Sequence, residues 1–235
     1  MKTVFMCVTL IGLTYSQSTG MFANPGESLI GIEGQYDSED IEGGSATTTS
    51  VGGSYVLNGN LEIGVFYNMG EFKNDDNSDL DFNVDGLTYG GYYHMKENEK
   101  LPLSVKIGGF YGDAKASADW LDDAGAEIKS NATAFGGGVY KNIYEKDSMT
   151  IKGFFNFHSV ATEVTTEIEE NADYYAYSDT ETDDYKSTSI GLAIRNGNLF
   201  IEPSIGRNDD ESSFNVSFGF LLFLLFIGFM NNKGE

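Results

Sequence analysis

Hydrophobic and polar residues alternate along most of this chain, most clearly between Val51 and Phe72. That stretch reads VGGSYVLNGNLEIGVFYNMGEF, two alternating runs joined by Asn58-Gly59-Asn60. In the second run Leu61, Ile63, Val65, Tyr67 and Met69 hold the odd positions, and Glu62, Gly64, Phe66, Asn68 and Gly70 the even ones. Successive side chains on a strand point to opposite faces, so one face is apolar and the other small or polar. Asn-Gly between two such runs signals a tight primed turn, whose residues need positive φ. The stretch predicts a β-hairpin.

Eight more runs extend the pattern to ten strands in all. The first covers about Ser28–Tyr36, with Ile30, Ile32 and Tyr36 on one face and Glu33 and Gln35 on the other. After the hairpin come a run ending in Leu87–Met95, then Leu101–Tyr111, about Thr133–Ile143, Met149–Val160, Ser189–Arg195, Leu199–Ile205 and Phe214–Phe220. No stretch reaches the roughly 18 apolar residues that a spanning helix needs.

The connections alternate in length. Asn58–Asn60, Lys96–Lys100, Tyr144–Ser148 and Asn196–Asn198 are short; Asp37–Ala46, Lys73–Gly86, Asp113–Lys129, Glu163–Lys186 and Arg207–Glu211 are longer. The longer ones carry surpluses of 4, 4, 3, 8 and 2 acids over bases, together 21 of the formal net charge of −22. An even strand count with short turns at one end and longer loops at the other is the pattern of an outer-membrane barrel. The acidity belongs to one end of it, and such a field repels nucleic acid and attracts cations. A nucleic-acid partner is thereby excluded.

The charges within the strands bear on which face is which. Glu33, Glu62, Lys106, Lys152, Arg195 and Glu202 share the polar faces, three acids against three bases. A balanced set fits a narrow lumen, where an unpaired buried charge is costly. Phe66, Tyr92, Phe110, Phe154 and Phe200 share those inward positions and would fill the interior. Tyr55, Tyr67, Tyr93, Tyr111, Phe155 and Phe157 lie on the outer face near strand ends, where interfacial aromatic girdles form.

The ends differ from the rest. Lys2, the apolar Val4–Leu13 and the small residues of Tyr15–Ser18 form a secretory leader, with cleavage expected after Ser18, Gly20 or Ala23. The single cysteine, Cys7, lies in that leader, so the mature chain would have neither disulfides nor thiol chemistry. With 3 Pro and no Gly/Ser-rich spacer, residues 24–223 read as one barrel domain. Residues 224–235 read as a hydrophobic-then-polar extension.

Leader, acidic long loops, short polar turns and a closing Phe-rich strand (Phe214–Phe220) together resemble the small outer-membrane β-barrels of Gram-negative bacteria, of the OmpA, OmpX and opacity-protein type. The resemblance implies short turns in the periplasm, long loops outside, contact with outer-membrane lipid and lipopolysaccharide, and assembly by the barrel-assembly machinery. The chain departs from the group in running on through Leu221–Met230 to Asn231–Glu235, where those barrels end on an aromatic residue.

Candidate chemistry is sparse. His94 and His158 are the two histidines, both inward by parity, one near each end, and they read as hydrogen-bonded lumen groups. Ten strands also suit the omptin-type proteases, and Asp79-Leu80-Asp81 could imitate their Asp pair. No Asp stands two residues before either histidine, however. Lipid A deacylases use His-x-Ser on one strand face, whereas His158 and Ser159 are adjacent and point oppositely. Asp75, Asn77 and Asp79 are weak candidates for a divalent cation, but Leu80 and Gly86 stand where a calcium loop of the EF-hand type needs Gly and Glu. Trp120, Tyr174, Tyr175 and Tyr177 are candidate loop contacts for an extracellular partner.

These observations predict an all-β, antiparallel up-and-down transmembrane barrel of ten strands, with eight as the alternative. They imply no cofactor and no catalytic residues. The expected role is structural or surface-interacting, through the acidic loops. The alternative is a small porin or narrow channel lined by Glu62, Lys106, Lys152, Arg195 and Glu202, with a rim-sited hydrolase behind both.

Overall fold

The structure, a computed structural model, describes residues 18–41, 43–168, 176–209 and 211–223. The leader up to residue 17 and the extension from residue 224 lie outside the described residues. Ten antiparallel strands form a closed barrel. They are β1 (Leu29–Ile41), β2 (Gly44–Leu57), β3 (Leu61–Asn74), β4 (Phe82–Met95), β5 (Ser104–Ser117), β6 (Ala126–Lys146), β7 (Met149–Ile168), β8 (Tyr177–Asn196), β9 (Leu199–Asn208) and β10 (Glu211–Phe223). A five-residue helix, α1 (Ser18–Phe22), precedes β1, and α2 (Asp119–Ala124) lies between β5 and β6. Each strand pairs with its neighbours in sequence, and β10 returns to β1 with Leu29 opposite Phe223 and Glu39 opposite Ser213. Closure leaves no unpaired edge, which a sheet in lipid cannot tolerate.

The hairpin turn follows from its residues. Asn58 and Gly59 have φ of 53° and 73°, as a primed turn requires. Gly59 is also needed for space, because a Cβ there would meet the Asn24 carbonyl oxygen at 2.1 Å.

Three strands run well past the alternation that announces them. β6, β7 and β8 contain 21, 20 and 20 residues, about twice what crosses a bilayer. Most of the acidic stretches read as long loops are therefore strand: Asp37–Ile41, Asp113–Ser117, Glu163–Ile168 and Tyr177–Lys186 all pair in register. The acids hid this, being poor strand formers, while Thr162, Thr165, Thr166, Thr180 and Thr182 supply the β preference. The division between long and short connections gives way to an overhang of the wall at one end.

Ile32, Ile63, Val65, Ile107, Phe135, Ile190, Ile205 and Phe218 face outward and are exposed, as parts of a continuous apolar belt. Its border at the overhang end is marked by tyrosines whose hydroxyls reach away from it. Tyr67 Oη donates to Asp85 at 3.0 Å and Tyr111 Oη to Asn131 at 2.9 Å, with Tyr89 and Tyr111 rings 5.4 Å apart. Past them the outward positions become charged. Lys115 and Lys129 lie 2.6 and 2.7 Å from Glu127 and hold its carboxyl below the usual range.

Candidate functional site

The interior is closed at the end opposite the overhang by the chain's own N-terminal segment. Met21, Phe22 and Ala23 are buried inside the barrel, with Met21 and Phe22 among Tyr140, Phe154, Ala193, Phe200 and Leu221. Because α1 is so short, its backbone groups need partners from the wall, and charged side chains supply them. Glu62 Oε1 accepts from Gly20 N at 3.1 Å, Lys96 Nζ donates to Gly20 O at 2.5 Å, and Lys152 Nζ donates to Met21 O at 2.7 Å. Thr19 Oγ1 donates to Glu33, which also accepts from Ser54 Oγ at 3.0 Å. Burial, reinforced by Lys152, pushes the Lys96 ammonium, on the turn after β4, down to about 7.

Glu62 is fully buried and joins this plug to the wall. Its Oε2 lies 2.9 Å from His94 Nε2, and His94 Nδ1 lies 3.1 Å from Tyr140 Oη. A carboxylate can only accept, so Nε2 is the donor, and Nδ1 of the neutral ring accepts from the tyrosine. Higher up, Tyr92 Oη lies 2.7 Å from His158 Nε2, and Lys106 Nζ sits 5.0 Å from the Tyr92 ring and 5.9 Å from the Phe154 ring. The histidines do not meet but flank one tyrosine, their rings 6.2 and 6.0 Å from it. Gly108 makes room for that ring: a Cβ there would fall 2.7 Å from Tyr92 Cδ1.

No protein-family model and no curated protein matches the sequence. Similar solved structures include the beta domain of the Bordetella autotransporter BrkA (9% identity, 83% of this chain and 99% of that one, TM-score 0.49). The transport unit of the autotransporter AIDA-I from Escherichia coli is 10% identical over 95% of this chain and 98% of its own (TM-score 0.46). Ail, the attachment invasion locus protein of Yersinia pestis, is 13% identical over 85% of this chain and all of its own (100%; TM-score 0.30). The closed sheet with an apolar exterior and polar interior decides the class. It is an outer-membrane β-barrel.

The overhang end of the barrel is roofed by a second apolar cluster. Ile41, Ala46, Phe72, Phe82, Val84, Ala114, Ala116, Ile128 and Val164 point inward there, and Leu121 of α2 descends among them. Trp120, a candidate loop contact, is half-buried. It packs on this cluster, and its indole Nε1 donates to Asp81 O at 3.3 Å, tying the β5–β6 connection to the β3–β4 connection. Trp120→Ala should lower stability by about 2–4 kcal/mol, as loss of a partly buried aromatic does; urea unfolding in micelles measures it. Tyr177 is exposed, whereas Tyr174 and Tyr175 lie outside the described residues. Asp75, Asn77 and Asp79 lie in a turn held by its own asparagine side chains. The Asn77 oxygen accepts from Asp79 N at 3.0 Å, and that of Asn74 from Asp76 N and Asn77 N. No group of three or more metal-ligating His, Cys, Asp or Glu occurs among the described residues.

Of the six strand charges, Glu33, Glu62, Lys106 and Glu202 are buried inside, and Lys152 and Arg195 are half-buried. Three of them have partners beyond this set of six. Glu62 engages His94 and the plug, Lys152 the plug, and Arg195 Nε donates to Gly197 O at 2.7 Å with its guanidinium 4.9 Å from the Phe223 ring. Sequence reasoning missed Thr19–Ala23 and Lys96, because small residues beside an apolar leader read equally well as a cleavage region. Of the three expected cleavage points, only the one after Ser18 leaves the plug whole.

Proposed function

We propose that this protein is a non-conducting outer-membrane barrel whose role is played by the acidic wall raised above the membrane by β6, β7 and β8. The observation that carries this reading is the N-terminal plug, seated by a hydrogen bond from Gly20 N to Glu62 and by bonds from Lys96 and Lys152 to the Gly20 and Met21 carbonyls. A channel needs a continuous aqueous path, and the plug at one end and the roof around Leu121 at the other both oppose it. On this reading the plugged end faces the periplasm and the overhang faces outward. The outer surface then presents Asp179, Glu181, Asp183 and Asp184 to surroundings that include lipopolysaccharide and partner surfaces. Purified protein in planar bilayers should give no steady conductance. Uniform, long-lived openings would instead establish the narrow channel lined by Glu62, Lys106, Lys152, Arg195 and Glu202.

A further inference from the structure

The lumen is filled unevenly. On the β3–β6 side it holds Phe66, Tyr92, Phe110 and Ala134, whereas the wall from β8 through β10 presents Ser187, Ser189, Ser204, Gly206, Ser213 and Ser217. The small residues leave a cavity of about 150 Å³ between the plug and the overhang end, which reaches solvent beside half-exposed Thr188, Asn208 and Ser213.

The chemistry of its walls is one-sided. The charged lining residues are Asp37 and Glu202, and no Lys or Arg is among them. The registers place Gln35 beside Ser217 and Ser217 beside Glu202, while Asp37 pairs with Asn215, so these acceptors occupy adjacent rungs of three strands. Two carbonyl acceptors of the lining are unused. Gln35 and Asn156 are 4% and 5% exposed, both line the cavity, and Gln35 Oε1 and Asn156 Oδ1 have no hydrogen-bond partner among the described residues. A buried carbonyl without a donor costs free energy unless something supplies one. Phe110, Val160 and Tyr185 provide an apolar flank.

We propose that this cavity binds one short alkylammonium ion, the N–H donors meeting Asp37, Gln35 and Glu202 and the alkyl stem lying against Phe110, Val160 and Tyr185. A carboxylate pair with neutral carbonyl acceptors matches an ammonium's charge and its several donors. No group of three or more His, Cys, Asp or Glu that could hold a metal ion occurs among the described residues, which disfavours a divalent ion. The overall charge of −22 concentrates such cations at the mouth.

The test uses the full chain folded in micelles, with the temperature at which heat-modifiable gel mobility is lost as the readout. n-Butylammonium chloride should raise that temperature saturably, above sodium chloride at equal ionic strength. Tetramethylammonium, which lacks N–H donors, and n-butanol, which lacks charge, should not. Asp37→Asn should weaken the response by about tenfold, the loss of one charge-assisted contact. Ser204→Leu, which fills the cavity while keeping both carboxylates in the chain, should abolish it while leaving the folded gel band in place. Equal shifts from sodium or tetramethylammonium, a larger shift from magnesium or calcium, or a response unchanged in both variants would each overturn the proposal.

Discussion

Gly20→Val is expected to turn a closed barrel into a conducting one without unfolding it. A Cβ on Gly20 would lie 2.3 Å from His94 Nε2 and 2.4 Å from Glu62 Oε2, both held in place by their own hydrogen bond. The clash falls on the docked plug alone, since no wall residue is altered. Docking is finely balanced. Burying Met21 and Phe22 contributes about 3–6 kcal/mol together. The four polar contacts of Thr19, Gly20 and Met21 add about 1 kcal/mol each. Ordering five residues costs about 5–10 kcal/mol. Against sums this close, a steric penalty of a few kcal/mol releases the segment. Bilayer recordings should then show openings that the parent lacks, while heat-modifiable mobility stays intact. The docked state also has a pH signature. Burial lowers Lys96 from 10.5 to about 7, so the docked form binds that proton less tightly than the free form. The resulting cost is complete below pH 7 and is relieved as pH rises towards 10.5. Openings of a weakened plug, such as Met21→Ala, should therefore become rarer from pH 7 to pH 10. A silent Gly20→Val barrel would place the seal at the roof around Leu121.

Much of the barrel was legible because its signals are local. Alternation at Leu61–Met69 and positive-φ chemistry at Asn58-Gly59 fix a hairpin, and ten such runs fix a closed meander. The parity of Glu33, Glu62, Lys106 and Glu202 places them inside for the same reason. What parity cannot supply is the partner of an inward charge. Glu62 meets Gly20 and Lys152 meets Met21 across sequence separations of 42 and 131, and nothing in the sequence around either pair announces the contact. The overhang was hidden for a different reason. Between Glu163 and Lys186 the acids obscure an alternation that cross-strand pairing of β7 with β8 enforces, Thr165 meeting Thr180 at 3.2 Å between hydroxyls. The cavity, too, depends on rungs rather than runs, since Gln35 and Asn156 approach one void from strands remote in sequence.

Glu62→Ala should be the most destabilising single truncation in the wall, at about 3–5 kcal/mol, the cost of breaking a buried charged pair by removing one partner. Glu62 serves two donors at once, Gly20 N–H and His94 Nε2–H, and its loss strands both in a site closed to water. His94→Ala should cost less. The carboxylate would keep Gly20 N–H as its donor. If the pair acts as a unit, the double variant will cost less than the two singles combined, by a coupling of about 0.5–3 kcal/mol. Glu62→Gln separates charge from hydrogen bonding. Its carbonyl can still accept from Gly20, and its amide can donate to His94 Nε2 once the ring changes tautomer, leaving Nδ1–H to donate to Tyr140. That variant should recover all but about 1 kcal/mol, a single net hydrogen bond's worth. Urea titration in micelles measures each species. Glu62→Ala within about 1 kcal/mol of the parent would mean that water enters the site when the carboxylate leaves, as a solvated channel interior would allow.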